Sequence, residues 1–156
     1  MKIVVVAVGR VRGDLVAPVR AYESRAQRYW KLELVEVRGG AGARSASPEA
    51  VRNAEAERIV SRLPSGLEVV ALTRDGKGMD SEALAGYLER HAIRSSAGVA
   101  FVIGGAHGLG AAVLERSRRR LSLSRMTLPH EMARLILAEQ LYRAGTILRG
   151  EPYHKG

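Results

Sequence analysis

Two stretches of the chain, Ile3-Val4-Val5-Val6-Ala7-Val8 and Val99-Ala100-Phe101-Val102-Ile103, are apolar at every position. A strand that shows no polar alternation must be covered on both faces, the situation of an interior strand in a parallel sheet. Neither run is long enough to span a bilayer, and the first follows a single lysine without a small-residue cleavage site, so neither a signal peptide nor a membrane segment is expected. Three further runs read as strands: Leu32 to Val37, Glu68 to Thr73 and Leu121 to Met126. Helical patterns separate them: Asp14 to Trp30, broken early by Pro18; Glu49 to Leu63 behind Pro48; Ser81 to Arg94, which begins with a capping candidate; and His130 to about Leu148. Strand and helix alternate, which predicts an α/β fold with a mostly parallel sheet covered by helices on both faces. A length of 156 residues suits one domain, residues 1–156. The glycine-rich loop Arg38 to Ser47 is the stretch expected to be mobile.

Cysteine is absent, which excludes disulfides, thiolate metal sites and a cysteine nucleophile, and suits a reducing cytoplasm. No metal is expected. The net charge of +9 would concentrate a polyanion, nucleic acid before others. A GC-rich genome also writes arginine freely, but here Arg116, Arg118, Arg119, Arg120 and Arg125 fall within ten residues that hold no Asp or Glu. A solvated face ordinarily mixes signs, so the cluster points to RNA.

The last helix carries two apolar stripes, Leu137, Leu141, Ala144 and Leu148 on one face and Met132, Ile136 and Ile147 on another. Two faces need two partners. Its own sheet can be one and a second copy the other, so a homodimer is expected; the alternative is a helix buried entirely within the monomer.

Four glycines in seven residues, Gly104-Gly105-Ala106-His107-Gly108-Leu109-Gly110, follow the second apolar strand. Ligands of open α/β sheets bind beyond the carboxyl ends of strands, and glycine lets backbone N–H groups approach them closely. Ala106 stands where a dinucleotide fingerprint needs its second glycine, which weighs against a nucleotide-dependent oxidoreductase. The loop is either a ligand cradle or a tight turn. The segment Leu121 to His130 offers Ser and Thr hydroxyls and free backbone groups before Pro129 ends any strand pairing.

Taken together, Ile103-Gly104-Gly105-x-x-Gly108-Leu109, Leu121-Ser122-Leu123-Ser124-x-Met126-Thr127-Leu128-Pro129-His130, Glu139-Gln140-Leu141-Tyr142-Arg143-Ala144 and the ending Pro152-Tyr153-His154 resemble the family of large-subunit (23S) ribosomal RNA pseudouridine N3-methyltransferases, within the trefoil-knotted SPOUT superfamily. The resemblance runs from Met1-Lys2-Ile3 through Leu72 and Gly76-Lys77 to the tail and is strongest after Val99. It implies a small homodimer with a C-terminal trefoil knot that holds S-adenosyl-L-methionine, acting on 23S rRNA in the ribosome. Carried over position by position, the cofactor contacts would be Leu72, Gly104, Leu123, Ser124, Arg125, Met126, Thr127 and Leu128. No role is carried onto His107, where the family varies.

Methyl transfer to a ring nitrogen needs in-line placement and an acceptor for the nitrogen's proton. His130 and His154 are candidate acceptors, although a helix N-terminus disfavours a charged His130, which could equally bond a loop carbonyl. Arg134 is a candidate for stabilising the developing anion. Arg118, Arg119, Arg120 and Arg143 are candidate RNA contacts, Arg143 alternatively pairing with Glu139 one turn earlier. Tyr153 would either stack on a base or anchor the tail, and His154 beside it is a further candidate RNA contact. The other reading of the whole chain is a non-catalytic RNA- or ribosome-binding protein of the same fold, which binding of S-adenosylmethionine would separate from the enzyme.

Overall fold

Successive side chains of a strand point to opposite faces, so an apolar run feeds two cores at once. In the computed structural model, which describes residues 1–155 without the side chains of His154 and Lys155, β1 (Lys2–Val8) sends Ile3, Val5 and Ala7 to one core and Val4, Val6 and Val8 to the other. β4 (Gly98–Ile103) divides likewise, Val99, Phe101 and Ile103 opposing Ala100 and Val102. These strands pair at the centre of the sheet. β2 (Lys31–Val37) flanks β1, while β3 (Glu68–Gly78) and then β5 (Arg119–Ser122) lie beyond β4. The order is β2-β1-β4-β3-β5, with every pairing parallel.

Helices α1 (Val16–Ala26), α3 (Ser81–Ile93) and α5 (His130–Leu148) pack on the first core, with Ala26, Leu84, Leu88, Leu137, Leu141 and Ala144 buried there. Helices α2 (Pro48–Arg62) and α4 (Ala111–Arg116) supply Ala56, Ile59 and Val113 to the second. The expected double cover of a parallel sheet is therefore present. No helix among the described residues is long and apolar enough to cross a membrane.

Several boundaries differ from the sequence expectation. Pro18 is the third residue of α1 and does not break it, because first-turn N–H groups have no acceptor within the helix. The side-chain cap of α3 is Asp80, whose Oδ1 accepts the Ala83 N–H at 2.7 Å. α4 has no counterpart among the expected helices. β5 begins two residues before its expected start and ends at Ser122, so Leu123 to Met126 belong to a loop.

The longest strand, β3, meets β5 twice. Leu72 pairs with Leu121, the chain between Leu72 and Lys77 swings out, and Lys77 returns to pair with Leu121 again, followed by Gly78 with Ser122. The returning arm passes so close to β5 that Gly76 lies against the backbone of Arg120 and Leu121.

Candidate active site

β3 and β4 are adjacent, and their carboxyl ends open into one cleft of about 1010 Å³. Its walls are the outswung part of β3 from Leu72 to Asp75, the glycine loop from Ile103 to Leu109, and the loop between β5 and α5. Leu72, Gly104, Leu123, Ser124, Met126, Thr127 and Leu128, anticipated as cofactor contacts, all line this cleft although they come from three separated segments. Arg125 is exposed and does not line it. Sequence reasoning misses Thr73, Arg74, Asp75, Arg52 and Leu114, which face the same space. For Thr73 to Asp75 the one legible signal is Gly76-Lys77-Gly78, a turn signature just after an apolar run.

The loop after β5 is held by its own side chains. Ser122 Oγ lies 3.0 Å from the carbonyl oxygens of Arg74 and Ser124, Ser124 Oγ accepts the Met126 N–H at 2.9 Å, and Arg74 donates to Thr127 Oγ1 at 2.9 Å. The backbone N–H groups of Ser124, Arg125, Thr127 and Leu128 have no acceptor among the described residues. A braced loop with free backbone donors beside apolar Leu123 and Leu128 can take the edge and face of a purine. The glycine loop is folded tightly on itself: Gly108 N–H donates to Gly105 O at 3.1 Å, and a Cβ on Gly104 would meet the Gly108 carbonyl carbon at 3.0 Å.

Two buried side-chain atoms on the cleft have no hydrogen-bond partner among the described residues, Thr73 Oγ1 and His130 Nε2. Buried polar atoms are almost always satisfied, so two orphans on residues that line one cavity are unusual. His130 is the first residue of α5; its Nε2 lies 3.5 Å from Glu131 Oε1, without hydrogen-bond geometry, and packs over Gly9.

Other candidates are placed elsewhere. Arg134 does not reach the cleft; its guanidinium is buried, donating to Glu23 Oε2 at 2.8 Å and to Glu36. Burial alone would depress its pKa, and the two carboxylates outweigh that and raise it. The structure thus corrects its anticipated catalytic role: its donors are spent on an ion pair that joins α5 to α1 and β2. Arg143 is bonded to Glu139, the alternative open to it from the sequence, with Nη2 2.8 Å from Oε2. Tyr153 donates to the same Oε2 at 2.8 Å and lies beside Tyr142 and Arg143, its hydroxyl pKa raised by burial and by that bond. In this arrangement Tyr153 anchors the tail. The side chain of His154 lies outside the described residues.

The arginine cluster divides. Arg118 is exposed, Arg120 lines the cleft, and Arg119 turns the other way, 4.5 Å over the Tyr87 ring and 3.9 Å from Glu68. Arg120 is joined on the cleft by Arg52 of α2 and Arg74.

An all-parallel α/β domain with a cleft at the carboxyl ends of adjacent strands has the layout in which open α/β proteins bind their ligands. The family model described as "Predicted SPOUT methyltransferase" matches residues 1–154, and the chain belongs to the SPOUT methyltransferase family. It is 53% identical over 156 residues to the ribosomal RNA large subunit methyltransferase H of Gemmatimonas aurantiaca, covering 99% of this chain and 100% of that one. The protein of the same name from an Anaeromyxobacter species is 48% identical, with the same coverage. Among solved structures, a probable methyltransferase from Bordetella pertussis superposes with a TM-score of 0.57 at 23% identity, over 92% of this chain and 95% of the other, a likeness of fold.

Proposed function

We propose that this protein transfers a methyl group from S-adenosyl-L-methionine to N3 of a pseudouridine in a stem-loop of 23S rRNA, as a cytoplasmic homodimer acting on assembled ribosomes. The observation that carries the reading is the convergence of Leu72, Gly104, Leu123, Ser124, Met126, Thr127 and Leu128 on one cleft in a chain so similar, end to end, to proteins named as ribosomal RNA large subunit methyltransferases. Membership of the SPOUT family supports a C-terminal trefoil knot.

The residues present fit the cofactor. The free N–H groups of Ser124, Thr127 and Leu128 would donate to the adenine edge, Leu72 and Leu123 would cover its faces, and the Gly104 loop would take the ribose. When bound, S-adenosylmethionine supplies an electrophilic methyl carbon. The chain supplies placement and proton management. His130, which lines the cleft, would accept the N3 proton, and Arg52, Arg74 and Arg120 would hold flanking phosphates. In this reading the RNA contacts lie on the same face as the cofactor, with Arg118 beside them, and Arg119 has a packing role.

The deciding experiment incubates the protein and labelled S-adenosylmethionine with ribosomes that lack the modification and maps the methyl group by mass spectrometry. Label on N3 of a pseudouridine in 23S rRNA is expected. Label elsewhere, or none, would sink the proposal.

A further inference from the structure

Glu55 of α2 is only 4% exposed, and its two carboxylate oxygens are used unequally. Oε2 accepts the Gly40 N–H at 2.8 Å; Oε1 is buried with no partner among the described residues. Leaving such an acceptor unsatisfied costs free energy, and native structures keep few of them. Its surroundings are two glycine stretches from different strand ends. A Cβ on Gly39 would lie 3.3 Å from Oε2, and one on Gly105 would lie 3.1 Å from Oε1 and 3.2 Å from Oε2. Glycine at both positions leaves the carboxylate its space. Gly105 lines the cleft, whereas Glu55, packed against Gly105, does not.

We infer that Glu55 is a positioning residue for the cofactor cleft: Oε2 holds the Gly39–Gly40 turn, and Oε1 accepts a backbone N–H of the Gly104–Gly108 loop when that loop closes on its ligand. This rests on the reading of the cleft as the S-adenosylmethionine site. The turn has a second anchor, since Arg58 Nη1 donates to the carbonyls of Arg38 at 2.7 Å and Gly40 at 2.6 Å, so it stays in place when Glu55 is altered conservatively. A carboxylate offers acceptors at both ends and a carboxamide at only one. Glu55→Gln keeps its one acceptor on the Gly40 N–H, where the bond already exists at 2.8 Å, and then presents an amide NH2, a donor, to the glycine loop.

The test compares the intact protein with Glu55→Gln in three measurements: S-adenosylmethionine binding by calorimetry, thermal midpoint, and hydrogen exchange of the 104–108 amides with and without S-adenosylmethionine. In the unmodified protein the cofactor should slow exchange in that loop. In Glu55→Gln the fold and the affinity for rRNA should persist, while cofactor affinity falls about tenfold or more, the worth of one hydrogen bond to a charged acceptor, and the ligand-induced slowing disappears. Equal cofactor affinity in the two proteins, or binding without any change at residues 104–108, would overturn the inference alone. Failure of the unmodified protein to bind would overturn the cofactor reading and this inference with it. Should Glu55→Gln not fold, Gly105→Ala places a methyl against Oε1 and is expected to weaken binding, an unchanged affinity counting against the inference.

Discussion

Gly76 touches the backbone of Arg120: a Cβ built on Gly76 would stand 2.8 Å from both the carbonyl carbon and the carbonyl oxygen of Arg120. No side chain can relieve that overlap, because both partners are main chain. Gly76→Ala must push apart the returning arm of β3 and the strand it crosses. We expect a loss of roughly 1–3 kcal/mol, the usual cost of overpacking, together with weaker cofactor binding because Thr73 to Asp75 move with the arm. Denaturant unfolding and calorimetry read the two effects, and a variant as stable as the parent would show that the arms can separate freely.

Gly104→Ala directs its methyl at Leu109 Cδ2, 2.9 Å away, and at the Gly108 carbonyl carbon at 3.0 Å. The strain stays within one loop, so the protein should remain folded while cofactor affinity drops. Retained affinity would make the loop a turn and nothing more.

Arg134 is the buried cation shared by Glu23 and Glu36, and Glu23 is itself only 8% exposed. Arg134→Met would strand that carboxylate, for which about 3–5 kcal/mol is the usual penalty. The folded fraction should bind S-adenosylmethionine as before. Lost binding at full stability would instead return Arg134 to the active site.

At the other end of the sheet Glu68 accepts the Tyr87 hydroxyl and lies 3.1 Å from His91 Nε2 and 3.9 Å from Arg119. Burial pushes its carboxyl pKa up, but the Tyr87 bond, His91 and Arg119 together bring it below the ordinary value. A depressed carboxyl pKa adds stability above the ordinary carboxylate range, which is lost as pH falls through that range and below it. Glu68→Gln should flatten the acid side of a plot of thermal midpoint against pH. An acid limb as steep as the parent's would assign the loss to other carboxylates.

Removing the charge of Arg52, Arg74 or Arg120 should weaken RNA binding and lower the salt slope by about one for each phosphate that is no longer neutralised. Arg119→Gln serves as the contrast, since its guanidinium is already taken by Tyr87 and Glu68. Equal effects from all four would mean that the cleft rim has no special part in holding RNA.

What can be read from the chain follows from how far each interaction reaches. The division of Ile3 to Val8 and Val99 to Ile103 between two cores is local and periodic, and the apolar runs mark both strands to within two residues. β5 is displaced because only Leu121 among its four residues is buried; its first two are exposed arginines on the edge strand, so apolar periodicity marks the wrong start. α4, six residues with Val113 alone buried, is too short to show a period. In the cleft, the glycine loop and the run from Leu123 to Leu128 are visible as motifs. The partners of Arg134 lie 111 and 98 residues away, and no local pattern distinguishes a buried ion pair from a catalytic arginine. Glu55 likewise sits in an ordinary helical stretch, and only the fold brings it against Gly105.

The two arms of β3 that hold β5 bear on the order of assembly as well as on shape. Both paired stretches of β3 come from residues 68–78, while β5 and the loop that follows it to wall the cleft come from residues after 118. Contacts so distant along the chain are slow to form, because the entropy of closing the loop is lost before the contact returns anything. The cleft is therefore a late product of folding: an emerging chain can complete β1, β2 and their helices while it has no binding site at all, and competence arrives in one step when the last strand is seated.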